Sequence, residues 1–225
     1  MRILAIETSG MAGTVAAREG DEWSQELPLD REHRGARTLA PALAELLRQV
    51  GWKPRDVQLV AVSVGPGSFT ALRVGITTAK TFAYAVSAEI LGISTLEVIA
   101  AQATGVADAA TIATAIDAQR GDVYASLFCR RSRLDHEVLQ PPTILRAEEW
   151  VAGLTAGTFA SGPALEKLVA SLPSRAHAIP SNEWFPKACT LAELAAAKHA
   201  AGARSDIWRL APLYLRKSAA EEKIV

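Results

Sequence analysis

Gly65-Pro66-Gly67-Ser68-Phe69-Thr70 decides how this chain is read. The stretch follows Val57–Val64, an apolar run short enough for a buried strand, and precedes a helical pattern from Thr70 to about Val86. Backbone N–H groups at the start of such a helix can face an anion, and Ser68 or Thr70 can cap it. It is not a Walker A loop, because no Gly-Lys-Ser/Thr follows. It is not a dinucleotide fingerprint, because Thr70 stands where the third glycine belongs. From spacing alone, a phosphate loop and a purely structural turn both stay open.

The pattern extends outward on both sides. Ile3-Leu4-Ala5-Ile6 is an apolar run that ends at Glu7-Thr8-Ser9-Gly10 and suits a buried strand. Thr14–Arg18 and Glu22–Leu27 flank Glu19-Gly20-Asp21 as a hairpin. Leu39, Leu43, Leu46, Leu47 and Val50 recur at helical spacing and stop at Gly51, a C-terminal cap. Pro41 marks either the first turn of that helix or a kink in a longer one starting near His33. Near residue 105 the texture resets. Thr111–Ile116 is apolar and ends at Asp117, a polar turn covers Ala118–Asp122, and Val123–Phe128 follows. Thr158-Phe159-Ala160 then leads through Ser161-Gly162-Pro163 into an amphipathic helix, Leu165–Leu172. Glu7 and Asp117 hold matching places, which implies an internal duplication of two α/β halves. Arg130–Pro142 reads as a polar connection between elements.

Composition removes whole classes of function. Of 225 residues, 24 are Lys or Arg and 24 Asp or Glu, so no basic surplus drives phosphate-backbone binding. With 49% hydrophobic and 21% charged residues the chain is too apolar to be disordered. Cys129 and Cys189 give neither a disulfide framework nor a CxxC pair, and the start lacks a signal-peptide pattern, so the expected location is the cytoplasm. No stretch reaches the ~18 apolar residues of a membrane span. His33, His136, His177 and His199 form no HxxxH, HxxH or HExxH, and no zinc site is readable. There is no GxSxG nucleophile elbow either.

Glu7 and Asp117 end apolar strands, where an α/β fold puts ligand-contacting residues. One acid at each strand end suits a hydrated magnesium ion; the plainer role, and the favoured one, is bonding to turn amides. The charged run Asp30-Arg31-Glu32-His33-Arg34 fits a solvated helix entry. Arg130-Arg131-Arg133 fits a solvated loop sooner than a nucleic-acid contact. The second helix is rich in Ala, Gly and Thr, which lets another helix approach closely; the plainer role is packing against the chain's own sheet, which at least one face must do.

The run from Gly65 to Ile76, Gly65-Pro66-Gly67-Ser68-Phe69-Thr70-Ala71-Leu72-Arg73-Val74-Gly75-Ile76, closely resembles the central motif of the bacterial TsaB (YeaZ-like) family. These proteins are subunits of the complex that makes threonylcarbamoyladenosine in tRNA. Further blocks agree in order: Ile3–Ser9, the Arg31-Glu32-His33 segment, Gly92–Leu96, Ile116–Tyr124 and Pro212–Arg216. Glu7 replaces the family's usual aspartate, Ala71 a glycine, and Thr81 stands where glycine is common. The sister family TsaD, the catalytic subunit, holds metal partly through an HxxxH segment; the matching stretch here, Ser94–Ile99, has no histidine.

The resemblance implies a duplicated actin-like, sugar-kinase-like ATPase (ASKHA) fold of two α/β lobes. The lobes are expected at 1–104, carrying the loop and partner-binding helices, and 105–225, with the last helix free to pack back on the first lobe. It further implies a non-catalytic scaffold and activator, not itself an enzyme and without a cofactor or metal. Its partners are TsaD and TsaE, it forms a homodimer when alone, and it reaches tRNA only through the complex. TsaD transfers threonylcarbamoyl from its adenylate to the adenosine beside the anticodon. The expected interface is Leu39, Leu43 and Leu46 on one helix with Ala71, Val74, Gly75, Thr78, Ala79 and Phe82 on the next. Glu7, Gly65, Gly67, Ser68, Thr70 and Asp117 form the candidate vestigial nucleotide loop. The alternative is an ATP-dependent phosphotransferase of the same fold, using Glu7, Asp117 and the Gly65–Thr70 loop.

Overall fold

The computed structural model describes residues 1–10, 13–21, 23–29 and 36–216. The charged run 30–34, with His33, lies outside the described residues. In chain order the elements are β1 (Arg2–Glu7), β2 (Thr14–Glu19), β3 (Trp23–Pro28), α1 (Ala36–Gln49), β4 (Leu59–Gly65), α2 (Phe69–Val86), β5 (Glu89–Ser94) and α3 (Thr95–Gln102). They continue with β6 (Thr111–Asp117), β7 (Asp122–Ser132), β8 (Asp135–Arg146), α4 (Ala147–Ala152), β9 (Phe159–Ser161), α5 (Leu165–Leu168), β10 (His177–Ala178) and α6 (Ala188–Ala200). None of the described helices is long and apolar enough to cross a membrane.

Two compact units divide the chain: Met1–Thr95 with Pro186–Pro212, and Leu96–Phe185 with the chain from Leu213. Both are therefore discontinuous in sequence, and α6 belongs with the first unit. The first sheet runs β3-β2-β1-β4-β5, and the second, read from its other edge, runs β8-β7-β6-β9-β10. In the first, β1–β2 and β2–β3 are antiparallel while β1–β4 and β4–β5 are parallel. The second repeats this: β6–β7 and β7–β8 antiparallel, β6–β9 and β9–β10 parallel. The duplicated α/β fold is present in full, with Glu7 and Asp117 each ending the central strand of its sheet.

Burial explains the local choices. β1 is inaccessible from Ile3 to Ile6, as a central strand covered on both faces must be. α1 applies Leu39, Leu43, Leu46 and Leu47 to the first core, with Pro41 inside the helix and not in its first turn. α6 lies on β1 and β2. It has no capping side chain of its own; Thr14 Oγ1 accepts the Ala188 N–H at 2.8 Å and Glu26 accepts that of Cys189 at 3.0 Å. The second core gathers Leu96, Ile112, Phe128, Trp150 and Leu165.

Three sequence expectations change. Arg130–Pro142 is no loose connection but most of a long β7–β8 hairpin, with its register shifted at Ala125/Leu127, Leu127/Phe128 and Arg130/Ser132. Those irregularities break the alternation that signals a strand, and Pro141 and Pro142 are tolerated because β8 is an edge. Arg130 is buried and donates to the Ala103 carbonyl at 2.7 Å, while Arg131 pairs with Glu137, so the arginine cluster is not a solvated loop. The helix expected over Leu165–Leu172 is α-helical only to Leu168 and ends as a 3-10 turn, Val169–Ser171.

Candidate functional site

The site begins where β1 stops. Glu7 is 1% exposed; its carboxylate accepts the Ser9 N–H at 2.6 Å and the Ser63 hydroxyl from β4. Burial raises the Glu7 pKa, and the Ser63 and Ser9 hydrogen bonds only partly oppose it. The Thr8-Ser9 turn then clamps the start of α2. Ser9 O accepts the Ser68 N–H at 2.7 Å, and the Thr8 hydroxyl donates to Ala71 O at 3.0 Å. A β-carbon on Gly67 would strike Ser9 O, and one on Gly75 would strike Thr8 Oγ1, so both glycines exist to admit this turn.

The loop is thus closed on its own unit. Gly65 is buried, with φ +105, while Ser68 and Thr70 are exposed. Ser68 occupies the N-cap position of α2, but its side chain makes no capping hydrogen bond; its carbonyl takes the Leu72 N–H at 2.9 Å. Of the six residues assigned to the nucleotide loop, Glu7, Gly65, Gly67, Ser68 and Thr70 gather around the ends of β1 and β4. Asp117 sits at the corresponding strand end of the second unit. It accepts Lys167 Nζ at 2.5 Å and the Gln119 N–H at 2.8 Å. Partial burial works against its charge, but these two donors outweigh it and hold the carboxyl below its ordinary range. Among the described residues no three His, Cys, Asp or Glu side chains are grouped to hold a metal.

The nominated interface divides in two. Leu39, Leu43, Leu46, Gly75 and Ala79 are buried, and form the first unit's own core or its contact with Thr8. The leucine stripe is what α1 needs to bind its sheet, so it is not free for a partner. Ala71, Val74, Thr78 and Phe82 are half-buried and share one flank of α2.

A family model described as "TsaD: tRNA N6-adenosine threonylcarbamoyltransferase" matches residues 27–181. The tRNA threonylcarbamoyladenosine biosynthesis protein TsaB of Bacillus subtilis is 30% identical over 99% of this chain and 97% of its own length. The chain belongs to the TsaB family. The Escherichia coli TsaB is 28% identical over 100% of this chain and 98% of its own length. The solved YeaZ of Pseudomonas aeruginosa superposes with a TM-score of 0.81 at 26% identity, covering 95% of this chain and 99% of that one. An inorganic polyphosphate/ATP-glucomannokinase from Arthrobacter sp. strain KM reaches a TM-score of 0.50 at 10% identity, over 90% of this chain and 99% of that one. That likeness concerns the fold alone, which is the sugar-kinase-like fold.

Within the TsaB-like framework, the structure gives contacts to residues to which the sequence assigned no role. Ser63 is one; its signal is a hydroxyl inside the apolar run Val62-Ser63-Val64, which a buried strand accepts only with a partner. Arg216 is another. It donates to Ala118 O at 2.8 Å and to Asp122 at 2.5 Å, and so joins the last family block to the β6–β7 turn, where Gln119 and Arg120 have positive φ.

Proposed function

We propose that this chain is a non-catalytic subunit for the synthesis of threonylcarbamoyladenosine in tRNA, acting by binding and activating the catalytic TsaD protein. TsaE joins the pair, and the chain pairs with itself when alone. The observation that carries the non-catalytic reading is the sealing of Glu7. A strand-end acid that must polarise water or hold a hydrated cation needs access, whereas Glu7 is buried and engaged by Ser9 and Ser63. The clasp of Thr8-Ser9 on α2 supports the same reading, because it gives the Gly65–Thr70 loop a packing role. The phosphotransferase alternative requires that acid to be open.

Docking is assigned to the α2 flank of Ala71, Val74, Thr78 and Phe82, with the small exposed residues Ala40, Pro41 and Ala44 of α1. Small side chains admit a partner helix closely, and Phe82 supplies the aromatic anchor. Reconstitution with purified TsaD, TsaE, tRNA and threonylcarbamoyl-adenylate tests the reading. Product forms only when TsaD is present, and this chain raises its yield. Turnover by this chain without TsaD, or no effect on TsaD, overturns it.

A further inference from the structure

Among the described residues, the most exposed large apolar side chains of the first unit stand together, on a flank of α2 other than the docking one. Trp208 is 73% exposed and Tyr84 is 68% exposed. Their rings meet edge to face, with centroids 5.7 Å apart. Trp208 comes from the segment after α6, which is fixed to the unit at several points. Ser205 N–H donates to Ile90 O at 3.2 Å, Leu210 packs over Gly92, and Lys80 Nζ donates to Leu210 O at 3.1 Å. The aromatic pair is therefore held on a frame and is not a loose tail.

Its surroundings have a distinct chemistry. Tyr84 shares a flank of α2 with Lys80, Thr77 and Arg73, spaced by four, three and four residues. That flank is not the one bearing Val74, Thr78 and Phe82. α2 contains no acidic residue. Arg209, beside Trp208, is 90% exposed at its side chain and lies 3.8 Å from the Asp206 carboxylate. Ile207 and Leu210, on either side of the Trp208-Arg209 pair, pack against the core. A protein hot spot sits in an apolar interface core. An exposed aromatic pair beside cations and hydroxyls instead matches single-stranded nucleic acid, which stacks its bases and has its phosphates neutralised.

We propose that Trp208 and Tyr84 form a stacking platform for an unpaired base of single-stranded RNA, with Lys80 and Arg209 beside its backbone. This goes beyond the proposed function and departs from the expectation that the chain reaches RNA only through the complex. The full chain is titrated with a single-stranded RNA of about ten nucleotides, followed by tryptophan fluorescence. RNA quenches Trp208, and log affinity against log salt has a slope of about −1.4, about 0.7 for each of Lys80 and Arg209. Trp208→Ala and Tyr84→Ala each weaken binding about 5- to 150-fold, Trp208→Phe far less, and all keep the native melting temperature. Equal RNA affinity of Trp208→Ala and the unsubstituted chain overturns the proposal. Loss of TsaD capture by Trp208→Ala with RNA binding intact also overturns it, making the pair a protein contact and leaving the proposed function standing.

Discussion

Thr8 Oγ1 occupies the space into which a β-carbon on Gly75 would project, and from there donates to Ala71 O at 3.0 Å. The glycine in the middle of α2 is thus a receptor for the turn after β1, at a cost of about 1 kcal/mol in helix propensity. Gly75→Ala should destabilise the chain by about 1–3 kcal/mol, as overpacking does. In urea unfolding, Thr8→Ala made in the Gly75→Ala background should recover part of that loss. Additive effects of the two substitutions would show that the two side chains do not share the space.

Glu7 makes stability depend on pH in an unusual direction for a carboxylate. Burial raises its folded pKa above the ordinary 4.5, so its contribution is fully present below 4.5 and is lost as pH rises through the raised value. Glu7→Gln removes the titration and keeps an acceptor for Ser9. The stability of Glu7→Gln relative to the native chain should therefore climb as pH increases from 4 upward. A flat difference across that range would mean that Glu7 is ionised at no cost.

Cys189 illustrates what a helix terminus capped from outside does to a thiol. Burial, followed by the charge of Glu26, pushes its pKa up to about 11. Alkylation by iodoacetamide at pH 8 should lag a free thiol by roughly 10- to 100-fold, the thiolate being scarce. Glu26→Gln should speed it while costing about 1 kcal/mol through the weakened cap of α6. Alkylation of Cys189 at the free-thiol rate in the folded chain would contradict this picture.

The parts of this fold that repeat a local rule are the parts the sequence made legible. The leucines of α1, the apolar β1 run and the glycine turn before α2 each follow one period or one turn chemistry. Matching Glu7 to Asp117 was enough to read the duplication, which the two sheets repeat strand for strand. The β7–β8 hairpin was hidden because its register shifts break the alternation and its outer strand is an edge. The interface suffered a different failure. Helical spacing marks a stripe as apolar without saying whether it meets its own sheet or a partner, and Leu39, Leu43 and Leu46 meet their own sheet. Trp208 and Tyr84 lie far apart in sequence, and only the anchored segment after α6 brings them together.

A charge placed on α2 tests the docking flank only where the position has room. Ala79 and Ala83 are 0% exposed, so Ala79→Glu buries an unpaired carboxylate and should unfold the first unit. Thr78 is half-buried beside Val74 and Phe82, so Thr78→Glu leaves the core intact and places its charge at the proposed contact. Capture of TsaD should fall at least tenfold for Thr78→Glu, and by a similar factor for Phe82→Ala if that ring is the anchor. Arg55→Glu, exposed on the turn before β4, should change nothing. Circular dichroism melts of each variant separate lost folding from lost docking. Undiminished capture by folded Thr78→Glu and Phe82→Ala would move the TsaD contact off this flank, while the membership of the family and the sealed Glu7 would be untouched.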